Sequence, residues 1–74
     1  MKDFRSIKFA RWYENKLMKD AWNVSALTND GFAFEIEKET EKAVNIKVIN
    51  TYKINSFWNI WAPKSAIENL DEIM

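Results

Sequence analysis

The sequence contains no cysteine and no histidine, and it has one glycine and one proline among 74 residues. Without cysteine the chain can form neither a disulfide nor a thiolate zinc site, and it has no thiol nucleophile. Without histidine it lacks the commonest metal ligand and the usual general base near neutral pH. A Ser-His-Asp triad, a Cys-His pair and a zincin motif are therefore excluded, and a single glycine excludes a glycine-rich phosphate loop.

Catalysis would have to rely on carboxylates, lysines or tyrosines, and no pair of them has a recognised catalytic spacing. Glu35, Glu37 and Glu39 alternate along one predicted strand and would share one face of it. No Asp-x-Asp-x-Asp-Gly pattern accompanies them, so we interpret the row as a solvated face and not as a divalent-ion site. The sequence predicts a protein that is not an enzyme and that needs no cofactor or metal.

Long apolar runs are also missing, since no uninterrupted run exceeds three residues. A membrane-spanning helix needs about 20, and the opening segment MKDFR is not followed by the apolar core of a signal peptide. We therefore expect a cytoplasmic protein with no membrane partner. With 47% hydrophobic residues the chain is too apolar to be disordered, and its length predicts one domain over residues 1–74.

A formal net charge of zero conceals an uneven distribution along the chain. Residues 1–22 have six basic and three acidic side chains, a balance of +3, whereas residues 23–41 have one and five, a balance of −4. Residues 42–74 are close to neutral, with four basic and three acidic side chains. Two interpretations stay open: the charged segments attract each other or are simply solvated, or one of them faces a charged partner.

The first third of the chain has the periodicity of an amphipathic helix over about residues 6–22. Ser6 is a candidate N-cap for this helix. A strand over residues 5–9, which alternate weakly, is the competing interpretation, and the polar residues 23–30 are interpreted as a connector. The apolar stripe of the predicted helix is formed by Phe9, Tyr13, Leu17 and Ala21.

After Asn29-Asp30-Gly31, the strongest turn signal in the chain, the apolar period changes to two. This alternation predicts two strands, over about residues 32–37 and 44–48, with an extension of the second strand to residue 52 left open. A third strand is predicted over about residues 56–62, with apolar side chains on both of its faces. Pro63 ends the third strand, because it has no N–H to donate and keeps the preceding residue extended.

The C-terminal segment allows two structures. Ser65 and Glu68 match a capping box, which predicts a short C-terminal helix, and a fourth strand over residues 65–67 is the alternative. Taken together, the patterns predict an α+β domain in which an N-terminal amphipathic helix packs on a three- to four-stranded antiparallel sheet.

Two motifs, E-T-E-K-A-V at residues 39–44 and W-A-P-K-S-A-I at residues 61–67, flank the second and third predicted strands. The pair resembles a small β-rich module, E-T-E-K-A-V followed by W-x-P-K-S-x-I, of phage and mobile-element proteins from Gram-positive bacteria and of some helicase-like proteins. The resemblance covers about residues 32–70 and implies no particular biochemical role. Ala62 and Ala66 stand where that module usually has an aliphatic and a polar residue.

The motif residues have a structural and a functional interpretation. In the structural one, Trp61 fills the core, and Lys42 or Lys64 pairs with Glu41. Thr40 suits the pleat at the entry of the second strand, Pro63 ends the third strand, and Ser65 caps the last helix. In the functional one, Trp61, Lys42 and Lys64 form an aromatic and basic patch for a nucleic acid or a protein.

A second candidate surface lies on the polar side of the predicted N-terminal helix. Trp12 falls outside the apolar stripe and is surrounded by basic residues, a combination that suits phosphate attraction and base stacking. The alternative is that Trp12 packs on a sheet edge while the lysines extend around it. The basic residues are Lys8, Arg11, Lys16 and Lys19.

These surfaces lead to two hypotheses about function. The first is a small binding protein of phage or mobile-element origin that engages nucleic acid or a nucleic-acid-processing complex. The second is an inhibitor or regulator that binds a host or defence protein.

Overall fold

A computed structural model describes residues 2–74, which form a four-stranded antiparallel sheet with short helices on one face. The strands lie in the order β1-β2-β3-β4, so that strands adjacent in sequence are adjacent in space. In chain order the elements are β1 (Lys2–Asp3), α1 (Arg11–Leu17), α2 (Ala21–Thr28), β2 (Phe32–Glu39), β3 (Ala43–Asn50), β4 (Phe57–Pro63) and α3 (Leu70–Ile73). Two 3₁₀ turns, Phe4–Ser6 and Lys64–Ala66, precede α1 and follow β4.

The core lies between the helices and one face of the sheet. Val44, Ile46 and Val48, every second residue of β3, are completely buried. From the helices, Tyr13 and Leu17 of α1 pack into the same cluster.

The structure confirms the predicted α+β class, the period-two strands and the end of the third strand at Pro63. The second predicted strand, β3, ends at Asn50 and does not extend to residue 52.

The predicted single helix over residues 6–22 is wrong, because the first α-helix begins only at Arg11. Asp3 accepts a hydrogen bond from the main-chain N–H of Arg5 at 2.8 Å, which lowers the pKa of the Asp3 carboxyl and fixes a separate 3₁₀ turn. Ser6 lies inside that turn and donates to the main-chain oxygen of Asp3 at 2.6 Å. Ser6 is therefore not the N-cap of α1.

A second correction concerns residues 18–30. The helix stops at Leu17, and Asp20 caps a new helix by accepting a hydrogen bond from the main-chain N–H of Trp22 at 2.8 Å. This helix, α2, extends to Thr28, so most of the predicted connector over residues 23–30 is helical. An N-cap carboxylate favours a new helix start over continuation of the old helix.

The segment before α1 pairs with the C-terminal part of the chain. Phe9 forms an isolated antiparallel bridge with Ile67, and the main-chain N–H of Ala10 donates to the oxygen of Ala66 at 2.7 Å. Each of the two alternative strands, over residues 5–9 and 65–67, therefore contributes only to this bridge. The fourth strand of the sheet is β1.

The predicted capping box at the C-terminus is not formed. Ser65 lies within the 3₁₀ turn, where Pro63 has the N-cap position, and α3 begins five residues later, after Asn69. A short C-terminal helix is present, but it comprises Leu70–Ile73.

A bulge in β2 separates the predicted row of acidic residues. Ile36 pairs with Ile46 and Lys38 pairs with Asn45, which leaves Glu37 as an extra residue. Because side chains alternate between faces, the extra residue reverses the alternation beyond it. Glu35 and Glu39 consequently lie on opposite faces of the sheet.

Candidate functional site

The surface of α1 that faces away from the core is the first candidate site. Tyr13 and Leu17 anchor the opposite side of the helix in the core, and the Tyr13 hydroxyl donates to the main-chain oxygen of Trp61 at 2.8 Å. Burial raises the pKa of Tyr13, so the phenol keeps the proton that it donates. This anchoring turns Arg11 and Trp12 towards solvent, since they lie on the far side of a helix with about 3.6 residues per turn.

Trp12 is 51% exposed and is held by two neighbours. Its ring meets the ring of Tyr13 edge-on, with centroids 5.7 Å apart, and the Lys16 Nζ lies 5.9 Å from the Trp12 ring centroid. A cation at this distance from an indole is attracted to the ring and remains available to an anion. The structure thus combines an accessible aromatic face with an adjacent positive charge.

The other basic residues of this candidate site come from three parts of the chain. Arg11 opens α1, whereas Lys8 belongs to the extended segment before it and Lys19 to the turn after it. All three are exposed. Within residues 2–74, the ion pairs are Arg5 with Asp3 and Lys64 with Glu39, so none of the basic residues of this surface is paired. We call Lys8, Arg11, Trp12, Lys16 and Lys19 the basic α1 surface.

The second candidate is the motif corner, the predicted patch of Trp61, Lys42 and Lys64, and these side chains do not form one patch. Trp61 is 52% exposed and does not fill the core as the structural interpretation predicts. It pairs in register with Asn45, on the face of the sheet opposite the buried Val44 and Ile46. Lys64 instead forms an ion pair with Glu39, which lies in register with the buried Val44. The indole and the ammonium group thus lie on opposite faces of the sheet.

The remaining motif residues act on the turn and on the strand end. Thr40 closes the β2–β3 turn, because its hydroxyl oxygen accepts from the N–H of Ala43 at 3.0 Å. The main-chain N–H of Lys64, next to Pro63, donates to the oxygen of Lys42 at 2.8 Å. The predicted pairing of Lys64 with Glu41 is wrong, because Lys64 forms its ion pair with Glu39. The alternative is not found either, since no ion pair joins Lys42 to Glu41 within residues 2–74.

The uncovered face of the sheet contains a pair that the sequence analysis missed. Phe57 is half exposed, and the Lys47 Nζ lies 4.5 Å from its ring centroid. The two residues lie on neighbouring strands, since Lys47 pairs with Asn59 and Ile49 with Phe57. Only the strand register shows that they are close, because ten residues separate them in sequence.

A cavity of about 470 Å³ lies between the start of α2 and β4. Trp22, 61% exposed, forms one wall, and its ring centroid is 5.8 Å from that of Trp58. The Trp58 Nε1 donates to Asn23 Oδ1 at 2.9 Å, which ties the strand to the helix. The sequence patterns of β4 and α2 do not by themselves bring these side chains together.

Neither a metal centre nor a membrane span is found among the described residues. Residues 2–74 contain no group of three or more acidic side chains arranged to hold a metal ion. Within the same range, no helix has both the length and the apolar character needed to cross a bilayer.

No family model, curated protein or solved structure matches the chain. The resemblance of the two motifs to a mobile-element module therefore stays a prediction.

Proposed function

We propose that the protein binds single-stranded nucleic acid through the basic α1 surface, as a non-enzymatic cytoplasmic protein of a phage or mobile element. The observation that carries the proposal is the accessible Trp12 ring with the Lys16 ammonium beside it. Stacking of a base on an aromatic ring next to phosphate-binding cations is the usual basis of sequence-tolerant single-strand recognition. The motif resemblance supports the phage or mobile-element origin.

The charge distribution favours an anionic ligand at this surface. Its basic side chains lack ion-pair partners within residues 2–74, whereas Lys64, one of the two lysines of the motif corner, is paired with Glu39. Base stacking requires an unpaired strand, because the faces of bases inside a duplex are already covered by their neighbours. A single strand therefore suits an exposed tryptophan better than a duplex does.

The proposal predicts that Trp12→Ala weakens binding of a fluorescein-labelled oligothymidine by about 1–3 kcal/mol, the contribution of one stacked base. Trp12→Phe, which keeps an aromatic face, should retain part of this affinity. Fluorescence anisotropy at low salt measures both, and equal affinities for the wild type and Trp12→Ala would contradict the assignment of Trp12.

The electrostatic part of the proposal is tested by a matched charge reversal. Lys16→Glu should lower the salt dependence of binding, because each phosphate contact contributes about 0.7 to the slope of log K against log salt for single strands. Lys38→Glu is the control, since it changes the charge equally but lies in β2, in register with Asn45 on the face away from α1. Equal losses in both variants would indicate nonspecific attraction, and absence of binding by the wild type would refute the proposed function.

A further inference from the structure

The two edges of the sheet differ in how they are protected. One edge is closed by β1, which has two residues, both charged. The other edge is β4, which has seven residues and no charged side chain. Soluble proteins usually blunt an open edge with charges, bulges or very short strands, because its main-chain groups can pair with another chain. On β4 these devices are missing, apart from Pro63 at its end.

The hydrogen bonds at the two ends of the β3–β4 pair establish which residues of β4 face outwards. The N–H of Asn50 donates to the oxygen of Ser56 at 2.9 Å, and the N–H of Lys64 donates to the oxygen of Lys42 at 2.8 Å. In an antiparallel pair, hydrogen-bonded and non-hydrogen-bonded positions alternate. The even-numbered residues of β4 therefore bond to β3, and the odd-numbered ones direct N–H and C=O away from it.

Three residues thus direct both an N–H and a C=O to the outer edge: Phe57, Asn59 and Trp61, whereas Pro63 has no N–H. The Trp61 oxygen accepts the hydrogen bond of the Tyr13 hydroxyl, which agrees with this orientation. Phe57 and Asn59 remain as two successive outward-facing positions at which an added strand can form hydrogen bonds.

The cavity beside α2 runs along this same edge. It is lined by side chains from both faces of β4, among them Phe57 and Trp58, and by Trp22 from α2. Trp22 lines the same cavity as the outward-facing residues Phe57 and Asn59, and its ring centroid is 5.8 Å from that of Trp58. The edge therefore has both components of strand addition, which are main-chain hydrogen bonds and a pocket for alternate side chains.

We propose that the β4 edge binds an extended peptide segment of a partner protein, with an apolar side chain next to Trp22 and a basic residue near Asp20. Of the described residues that line the cavity, Asp20 alone is charged. This charge favours a basic segment over an acidic one. The proposal is independent of nucleic-acid binding, because none of its residues belongs to the basic α1 surface.

A second copy of the chain fits this edge less well. Antiparallel pairing of two β4 strands would place both α2 helices on the same side of the joined sheet, because a two-fold axis perpendicular to the sheet relates the copies. The Asp20 carboxylates would then lie on the same side of the joined sheet, and like charges at an interface oppose association. A single extended peptide brings no second helix to the groove.

Selection of a phage-displayed library of random linear peptides on the full-length protein tests the proposal. We expect enrichment of peptides with alternating apolar residues and at least one lysine or arginine. On addition of a selected synthetic peptide, the N–H groups of Phe57 and Asn59 should become protected from hydrogen exchange. Those of Trp58 and Ile60, which bond to β3, should already be protected in the free protein.

The matched variants are Asn59→Pro and Asn59→Ala. Both lose the hydrogen bond from Asn59 Nδ2 to Asn45 Oδ1, but only proline also removes the outward N–H. Proline is tolerated where the N–H of an edge strand faces solvent. Relative to Asn59→Ala, Asn59→Pro should weaken peptide binding by about tenfold, equivalent to about 1.4 kcal/mol. Asp20→Asn, which keeps an N-cap residue, should weaken binding of a basic peptide about two- to fivefold.

If Asn59→Pro does not fold, N-methylation of the selected peptide answers the same question. Methylation of one alternating set of peptide nitrogens should abolish binding, and methylation of the other set should be tolerated. The proposal is overturned if no peptide is selected or if both sets behave alike. It is also overturned if sedimentation shows that the free protein is a dimer and if dissociation of that dimer exposes the N–H groups of Phe57 and Asn59 to hydrogen exchange. The occupant of the edge is then a second copy.

Discussion

At the scale of single residues, Gly31 shows why the one glycine of the chain lies before β2. Its φ of +88° is in the left-handed region, and a Cβ atom there would lie 2.1 Å from Cε2 of Tyr52. The oxygen of Gly31 also accepts hydrogen bonds from the N–H of Thr51 at 2.8 Å and from its hydroxyl at 2.7 Å. The turn signal in the sequence correctly indicated a change of structure, whereas the contact with Tyr52 depends on the pairing of β2 with β3.

Tyr13 leads to a prediction about alkaline stability. Burial raises the pKa of Tyr13 in the folded protein, while a tyrosine of the unfolded chain ionises near pH 10. Ionisation above about pH 10 therefore favours the unfolded chain, so the stability contributed by this group is present below that pH and is lost above it. In urea titrations from about pH 8 to about pH 11, the free energy of unfolding of the wild type should fall more steeply than that of Tyr13→Phe. Parallel curves would show that Tyr13 makes no contribution.

At the scale of secondary-structure elements, the boundary between α1 and α2 depends on Asp20. Asp20→Ala should destabilise the protein by about 1 kcal/mol, because it removes the acceptor for the N–H of Trp22. Asp20→Asn should cost less, since asparagine is a comparable N-cap. Thermal unfolding measures both, and about 1 kcal/mol corresponds to about 4–8 °C in a domain of this size. A loss of the same size in both variants would attribute the effect to the charge and not to the cap.

The strands were more predictable from the sequence than the helices. Alternation of apolar residues in β2 and β3 arises from burial on one face, which is a local property of each segment, and the end of β4 follows from Pro63. The helical stripe from Phe9 to Ala21 was misleading, because it combined buried residues of an extended segment with those of α1. Phe9 is buried through its bridge to Ile67, a contact across most of the chain.

At the scale of the whole molecule, Asn69 joins the N-terminal and C-terminal segments. This residue is 5% exposed, and its side chain accepts from the N–H of Lys8 at 2.8 Å and donates to the oxygen of Ser6 at 2.8 Å. Asn69→Ala leaves both main-chain groups without these partners, and we expect a loss of about 2–3 kcal/mol in the free energy of unfolding. Ser65→Ala, at an exposed position of the neighbouring turn, is the control, and it should change stability little. An equally stable Asn69→Ala protein would contradict the assigned role.

The candidate sites were predictable to different degrees. An exposed Trp12 follows from its position off the apolar stripe, and its contact with Lys16 follows from helical i, i+4 spacing. The patch of Trp61, Lys42 and Lys64 was predicted from the two motifs. The structure joins the main chains of Lys42 and Lys64 by a hydrogen bond of 2.8 Å. It separates Trp61 from the Lys64 side chain, because Trp61 lies on the uncovered face of the sheet and Lys64 pairs with Glu39.

The sequence by itself determined the chemistry that is excluded, the three long strands and the place of the turn at Gly31, because each depends on residue type or on local periodicity. Only the tertiary structure decided where the first helix begins, how the acidic row divides at the bulge in β2, and which edge of the sheet lies open. These features depend on contacts between segments distant in sequence, such as the bridge from Phe9 to Ile67. Local sequence patterns cannot show such contacts, because each segment is buried and hydrogen-bonded only when the distant segment packs against it.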